Sequence, residues 1–133
     1  MLPRLLLDTH IVVRWLINNR RLSREQFRVL QGAVRRGEPV GLSAISLLEV
    51  AVLAGQGKVQ LNATLTEFFE ALQADPVFNV LPLTYEVALE ASLLGKLRDP
   101  ADRAIVATAR AHHLTLLTSD QRIIESKLVA VVG

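Results

Sequence analysis

The chain has 133 residues, a net charge of +2, an apolar fraction of 50% with 5% aromatic residues, and no cysteine. That length suits one ordinary domain over 1–133 with a real core, and the lack of cysteine excludes disulfides, thiolate metal ligands and a cysteine nucleophile. No apolar run approaches the roughly 20 residues that cross a bilayer, the opening MLPRLLLDTH has too short a leucine run for a signal peptide, and a surplus of +2 selects no partner by itself, so a cytoplasmic protein is expected.

In chain order, Leu5 to Leu7 is an apolar run that reads as a strand buried on both faces, with Asp8 at its carboxyl end. Thr9 to Leu16 reads as helix, broken by Asn18 and Asn19. Ser23 with Gln26 forms a capping box, and Phe27, Leu30 and Val34 recur at helical spacing until Gly37. Val40 to Leu42 is a short strand. Ser43 caps a helix from Ala44 to Leu53, closed by Gly55 and Gly57.

Leu65, Phe68, Phe69 and Leu72 make the stripe of an amphipathic helix, and Val77 to Leu81 reads as a strand. Thr84 caps a helix with Val87, Ala88, Ala91 and Leu94 on its inner face, ended by Gly95. Asp99-Pro100 opens a helix running to about His112, with proline at its first position. Thr115 to Thr118 is a strand ending at Ser119-Asp120, followed by a short helix and a last strand, Leu128 to Val132. Strands alternating with helices predict a doubly wound α/β domain with a mostly parallel sheet of four to five strands, whose ligands bind outside the strands' carboxyl ends.

Asp8 and Asp120 both follow short strands at that end. Each alone is explained as a helix N-cap; their equivalent placement is what points to a site. Glu49 lies in ISLLEVAVLAG, a helix apolar nearly all round, as a buried helix should be, with no other charge between Glu38 and Lys58. A carboxylate there needs compensation, and a cation is the simplest; a Glu at a helix edge reaching solvent is the alternative. Asp102 shares a stripe with Ile105, Val106 and Ala109 and so faces inward, whereas Asp99 suits the N-cap, one turn away from it.

If Asp8, Glu49, Asp102 and Asp120 converge, each pair about 4 Å apart repels by roughly 4 kcal/mol at an effective dielectric of 20. Hard oxygen donors without cysteine or a zinc-spaced histidine pair suit Mg²⁺ or Mn²⁺, one or two ions, which activate a water against a phosphodiester.

The segments LLLDTH, SAISLLEVAVLAGQGKV and RDPADRAIVATARAHHLTLLTSD, in that order along almost the whole chain, resemble the PIN-domain nucleases, particularly the VapC-type toxins of prokaryotic toxin–antitoxin pairs. The resemblance implies a flavodoxin-like, three-layer PIN-like domain. It also implies an endoribonuclease that leaves a 5′-phosphate and a 3′-hydroxyl, a homodimer, and a small antitoxin partner.

On that basis Asp8 is a direct metal ligand, Glu49 a ligand or water positioner, and Asp102 and Asp120 complete the shell, Asp120 directly or through water. Thr9, Ser46 and Thr118 are donors to those carboxylates, or else caps and turn residues, and Asp99 touches the metal shell through water. The chain departs from the family's pattern at Ala101 and Leu97-Arg98, where an aromatic residue and His-Arg are usual, which bears on substrate contacts.

Arg24, Arg28 and Arg35 share a helix face, with Arg20 and Arg21 just before it. Such a stripe either tracks a phosphate backbone or is a solvated face. Arg14, Arg24, Arg28 and Arg103 are the candidate RNA contacts, and Trp15 is read as packed. His10, His112 and His113 are read as surface or capping residues. The competing functions are a phosphotransfer domain with Asp8 as nucleophile, and a catalytically silent PIN-like RNA-binding or scaffold domain.

Overall fold

The computed structural model describes residues 3–133. Met1 and Leu2, part of the opening read as too short for a signal peptide, lie outside them. The elements are β1 (Leu5–Leu7), α1 (Thr9–Ile17), a 3-10 turn (Asn19–Arg21), α2 (Arg24–Arg35), β2 (Val40–Ser43), α3 (Ala44–Gly55) and α4 (Leu65–Ala74). They continue as β3 (Phe78–Leu81), α5 (Tyr85–Ser92), α6 (Pro100–His112), β4 (Thr115–Leu117), α7 (Gln121–Ser126) and β5 (Val131–Val132).

The five strands form one sheet in the order β3-β2-β1-β4-β5, with every pair parallel. Strand β1 is therefore central. The chain winds outward on one side of it through β2 and β3, then returns to place β4 on the other side. The switch in direction lies between β1 and β4, and the crevice beyond their carboxyl ends is where such sheets bind ligands.

Successive side chains of a strand point to opposite faces, and the leucine runs exploit that. Leu7, Leu42 and Leu117 join a core with Ile11 of α1, Leu30 of α2 and Phe68 of α4. Leu6 and Leu116 face the other way, onto Val87 of α5, Ile105 of α6 and Ile123 of α7. The result is three layers, helices on both faces of a buried parallel sheet. Glycine suits position 41, where β2 runs beside β1, since a Cβ there would sit a tight 3.1 Å from the Leu5 carbonyl oxygen.

The caps read from the sequence hold. Ser23 and Gln26 bond reciprocally, Ser43 caps α3, Thr84 caps α5, and Gly37 ends α2 at φ 67°. A second reciprocal box, Thr64 with Glu67, starts α4. Trp15 is packed, edge-on to Phe78 at a ring separation of 5.7 Å.

Several expectations are corrected. Strand β3 begins at Phe78 rather than Val77, β4 stops at Leu117, and the last strand is only Val131–Val132. Helix α5 ends at Ser92; of its expected inner face Val87 is buried, Ala88 is exposed, and Leu94 packs from beyond the helix end. Helix α3 is not buried all round: Leu48 and Val52 are 59% and 47% exposed, because the sheet and its neighbours cover only the side carrying Ser46 and Val50.

Gln26 does more than complete a cap. Its side chain is fully buried, and its amide nitrogen lies 3.2 Å from the Val132 carbonyl oxygen and 3.3 Å from both the Thr118 carbonyl oxygen and Ser119 Oγ. It thereby ties the start of α2 to the ends of β4 and β5. Gln26→Leu leaves those acceptors and the Ser23 amide without partners, and we expect urea unfolding to show a loss of about 2–4 kcal/mol. A loss no larger than that of an exposed Gln31→Leu control would contradict this role.

Candidate active site

Asp8 ends β1 and caps α1, and is 7% exposed. One carboxylate oxygen accepts from the Thr9 amide at 2.8 Å, the other from the Thr118 hydroxyl at 2.7 Å. The Thr118 oxygen also accepts from the Asp120 amide at 3.1 Å, so one buried threonine links the two strand-end aspartates. Burial pushes the Asp8 carboxyl above its ordinary range, outweighing the hydrogen bonds from Thr118 and Thr9 that hold it down.

Asp120 caps α7, accepting from the Arg122 amide at 2.9 Å. The Arg122 guanidinium lies 3.3 Å from its other oxygen and 3.9 Å from Asp102. Burial raises the Asp120 carboxyl, but the hydrogen bonds and charge of Arg122 more than offset this and leave it below the usual range.

Asp102 is the third residue of α6, behind the cap Asp99, whose carboxylate accepts from the amides of Ala101 and Asp102 at 2.8 and 3.1 Å. Its side chain is 18% exposed. Burial and then the negative charges of Asp99, Asp120 and Asp8 push the Asp102 carboxyl up to about 6, with Arg122 opposing them.

Glu49 is half-buried on α3 and joins this group through a hydroxyl. Thr9 donates to Glu49 Oε1 at 2.6 Å, and the same threonine oxygen lies 2.9 Å from the buried Ser46 Oγ. The expected convergence is thus drawn more loosely: Asp8, Asp102 and Asp120 act on one another directly, Glu49 through Thr9. Among the described residues no three His, Asp or Glu side chains form a ready-made chelating set. Asp8, Glu49 and Asp120 each have an oxygen bonded to a cap amide or a hydroxyl.

Thr9 and Thr118 bond directly to the carboxylates, Ser46 is bonded to Thr9 and to no carboxylate, and Asp99 acts on Asp102 by charge while capping α6. The arginines expected to contact RNA stand differently. Arg24 is exposed, Arg28 is ion-paired with Glu25, and Arg103 donates to the Leu97 carbonyl oxygen. Arg14 lines a cleft beside α1. His10, His112 and His113 are exposed, and His113 ends α6 in the left-handed conformation.

Sequence reasoning missed Arg122 and the bridging role of Thr118. Neither carries a local pattern: an arginine two residues after a cap is ordinary helix composition, and Thr118 is simply the residue after a strand.

Around the carboxylates, Lys96, Arg98 and Arg122 rim a recess of about 180 Å³ that includes Asp99 and Asp102. A larger cleft, about 780 Å³ between α3, α4 and β3, is lined by none of the carboxylates. Size here does not mark the chemistry.

A family model described as PIN domain matches residues 5–127. The chain belongs to the PIN-domain family. Ribonuclease VapC22 of Mycobacterium tuberculosis is 34% identical over 122 residues, covering 89% of this chain and 88% of the relative. FitAcB from Neisseria gonorrhoeae superposes with a TM-score of 0.67 at 27% identity, covering 97% of this chain and 96% of its own. VapBC2 from Rickettsia felis, bound to a promoter DNA fragment, gives a TM-score of 0.69 at 15% identity over 96% of each chain, a likeness of fold.

In this PIN domain the donor set suits a hard divalent cation. Every donor is a carboxylate or hydroxyl oxygen, and the Asp102 carboxyl is raised by three neighbouring negative charges that a cation would offset. No helix among the described residues is long and apolar enough to cross a membrane.

A raised carboxyl has a definite pH signature. Between its ordinary value of 3.8 and about 6 the folded chain keeps on Asp102 a proton that the unfolded chain has lost, so stability falls as pH rises through this window. We expect Asp102→Asn to stabilise the protein in EDTA at pH 8 by about 1–2 kcal/mol, less than the full shift because the side chain is partly solvated. The gain should vanish by about pH 4 in urea titrations. Equal stability of the two proteins at pH 8 would contradict the charge clustering.

Proposed function

We propose that this chain is a Mg²⁺- or Mn²⁺-dependent endoribonuclease, the toxin of a VapBC-type toxin–antitoxin pair acting in the cytoplasm. The observation that carries the reading is the mutual repulsion of Asp8, Asp102 and Asp120 at the strand-order switch, with Glu49 attached through Thr9. A cap needs one carboxylate. It does not need three within reach of one another.

The name of the 34% identical relative supports ribonuclease chemistry, and FitAcB is a structural neighbour at 27% identity. The exposed apolar residues Tyr85, Leu89 and Leu93, at four-residue spacing along and just past α5, suit the homodimer we expect, and a small antitoxin is the second protein partner. Residues 1–133 would act as a single PIN-like unit.

Asp8, Asp102 and Asp120 would hold the ion, with Glu49 reaching it directly or through water. When bound, a divalent cation supplies an activated water and neutralises charge on the scissile phosphate. The chain's own groups do the positioning. Thr118 and the Thr9 amide each bond one oxygen of the Asp8 carboxylate and so fix its orientation. Thr9 holds Glu49 inward, while Arg122, 78% exposed, balances Asp120 and stands where it can meet a phosphate oxygen.

Incubation of the purified protein with RNA and Mn²⁺ tests this. Cleavage should stop in EDTA, and Asp8→Asn or Asp102→Asn should lower the rate more than about 100-fold while the protein stays folded. Cleavage that persists in either variant would place the chemistry elsewhere; RNA binding without turnover in the unaltered chain would favour a silent PIN-like module.

A further inference from the structure

Beside the carboxylates, the outer surface of α1 forms one wall of a second feature. His10, Arg14 and Asn18 follow at four-residue spacing and share one stripe. Opposite them stand Leu53, one turn beyond Glu49 on α3, and the chain that leaves that helix from Lys58 to Gln60. With Arg21 from the 3-10 turn, these walls enclose a cleft of about 390 Å³.

The cleft lies beside the acidic centre. His10 is close enough for its charge to act on Asp8, and Thr9 beside it is bonded to Glu49. From there it runs along α1, whose nine residues span about 13 Å.

Its charge is one-sided. No carboxylate lines it, and among the described residues none of Arg14, Arg21 and Lys58 is paired with an acid, whereas Arg28, Arg36, Arg110 and Arg122 all are. The lining also includes apolar Val13, Ile17, Leu53 and Val59, with the amides of Asn18 and Gln60. Unpaired cations around an apolar surface of this size fit a nucleotide better than a bare ion.

We propose that this cleft holds the part of a single RNA strand that adjoins the bond cut at the acidic centre. Arg14, Arg21 and Lys58 take backbone phosphates, and the apolar floor takes a base. This rests on the ribonuclease reading above. An acidic protein segment is the other polyanion such charge attracts, but position favours the strand. A phosphodiester at Asp8 carries its next phosphates within one helix length, and the cleft is where uncompensated positive charge stands at that range.

Anisotropy of a labelled oligouridylate of about ten nucleotides tests the proposal, with the Asp8→Asn protein in Mg²⁺ as reference. Adding Arg14→Ala, Arg21→Ala and Lys58→Ala together should weaken binding at least about tenfold and lower the salt slope by about 2. Removing three cations elsewhere, by Arg4→Ala, Arg36→Ala and Lys127→Ala, should change affinity less than about threefold. Lys58→Ala alone, at an exposed loop position, should give a smaller loss of the same sign and guards against misfolding of the triple variant.

Equal weakening by both triple variants, or none by the first, overturns the cleft and leaves the ribonuclease reading intact. A first triple variant that keeps its RNA affinity but loses binding to polyglutamate assigns the cleft to an acidic protein partner and also overturns the proposal. A reference that binds no RNA, together with an unaltered chain that cleaves none, overturns both.

Discussion

Asp8 is a carboxylate buried at the tip of the central strand, held by a threonine hydroxyl and one backbone amide, with no lysine or arginine among the described residues paired to it. Leaving such a group charged away from water is costly, and burial raises its pKa accordingly. The fold nevertheless brings two more aspartates into its field. Most of what distinguishes the strand-end surface follows from that choice, including the threonines that orient the carboxylates and the cations that stand near them.

The parallel topology makes the arrangement tolerable. Helices α1, α3 and α7 start at the carboxyl ends of strands, and α6, which follows α5, starts with Asp99 and Asp102 beside the same aspartates, so the amide-rich ends of all four gather around one crevice. Asp8, Asp99 and Asp120 are themselves the caps of three of these helices. A carboxylate at a helix N-terminus keeps partial compensation even beside like charges. Asp102, one turn inside α6, also feels that end, but it has the least direct bonding and carries the largest burden of repulsion. Capping and site-building are therefore two uses of the same atoms.

Much of this was legible in the sequence because it is local. Caps such as Ser23, Ser43, Thr84 and Asp99 announce helix starts through their own amide bonds, and a short apolar run before Asp8 or Asp120 announces a strand end. The stripe from Asp102 to Ala109 turned that side chain inward. What escaped is set by packing between distant segments. Periodicity placed Glu49 on an apolar helix but gave no sign that Leu48 and Val52 stay exposed, or that Thr9 stands between Glu49 and the aspartates. Gln26 could be read as a cap; its reach to the ends of β4 and β5 depends on where α2 docks. Arg122 matters only because α7 sets it against both Asp120 and Asp102.

The central claim, that this acidic crevice is a divalent-cation site built around Asp8, is tested most directly by anomalous scattering from crystals soaked in Mn²⁺. The account predicts a Mn²⁺ peak within about 2.0–2.4 Å of an Asp8 carboxylate oxygen, with Asp102 or Asp120 also bound directly or through one water. Mn²⁺ absent from Asp8 in crystals whose strand ends are open to solvent, or bound only at unrelated surface carboxylates, would contradict it.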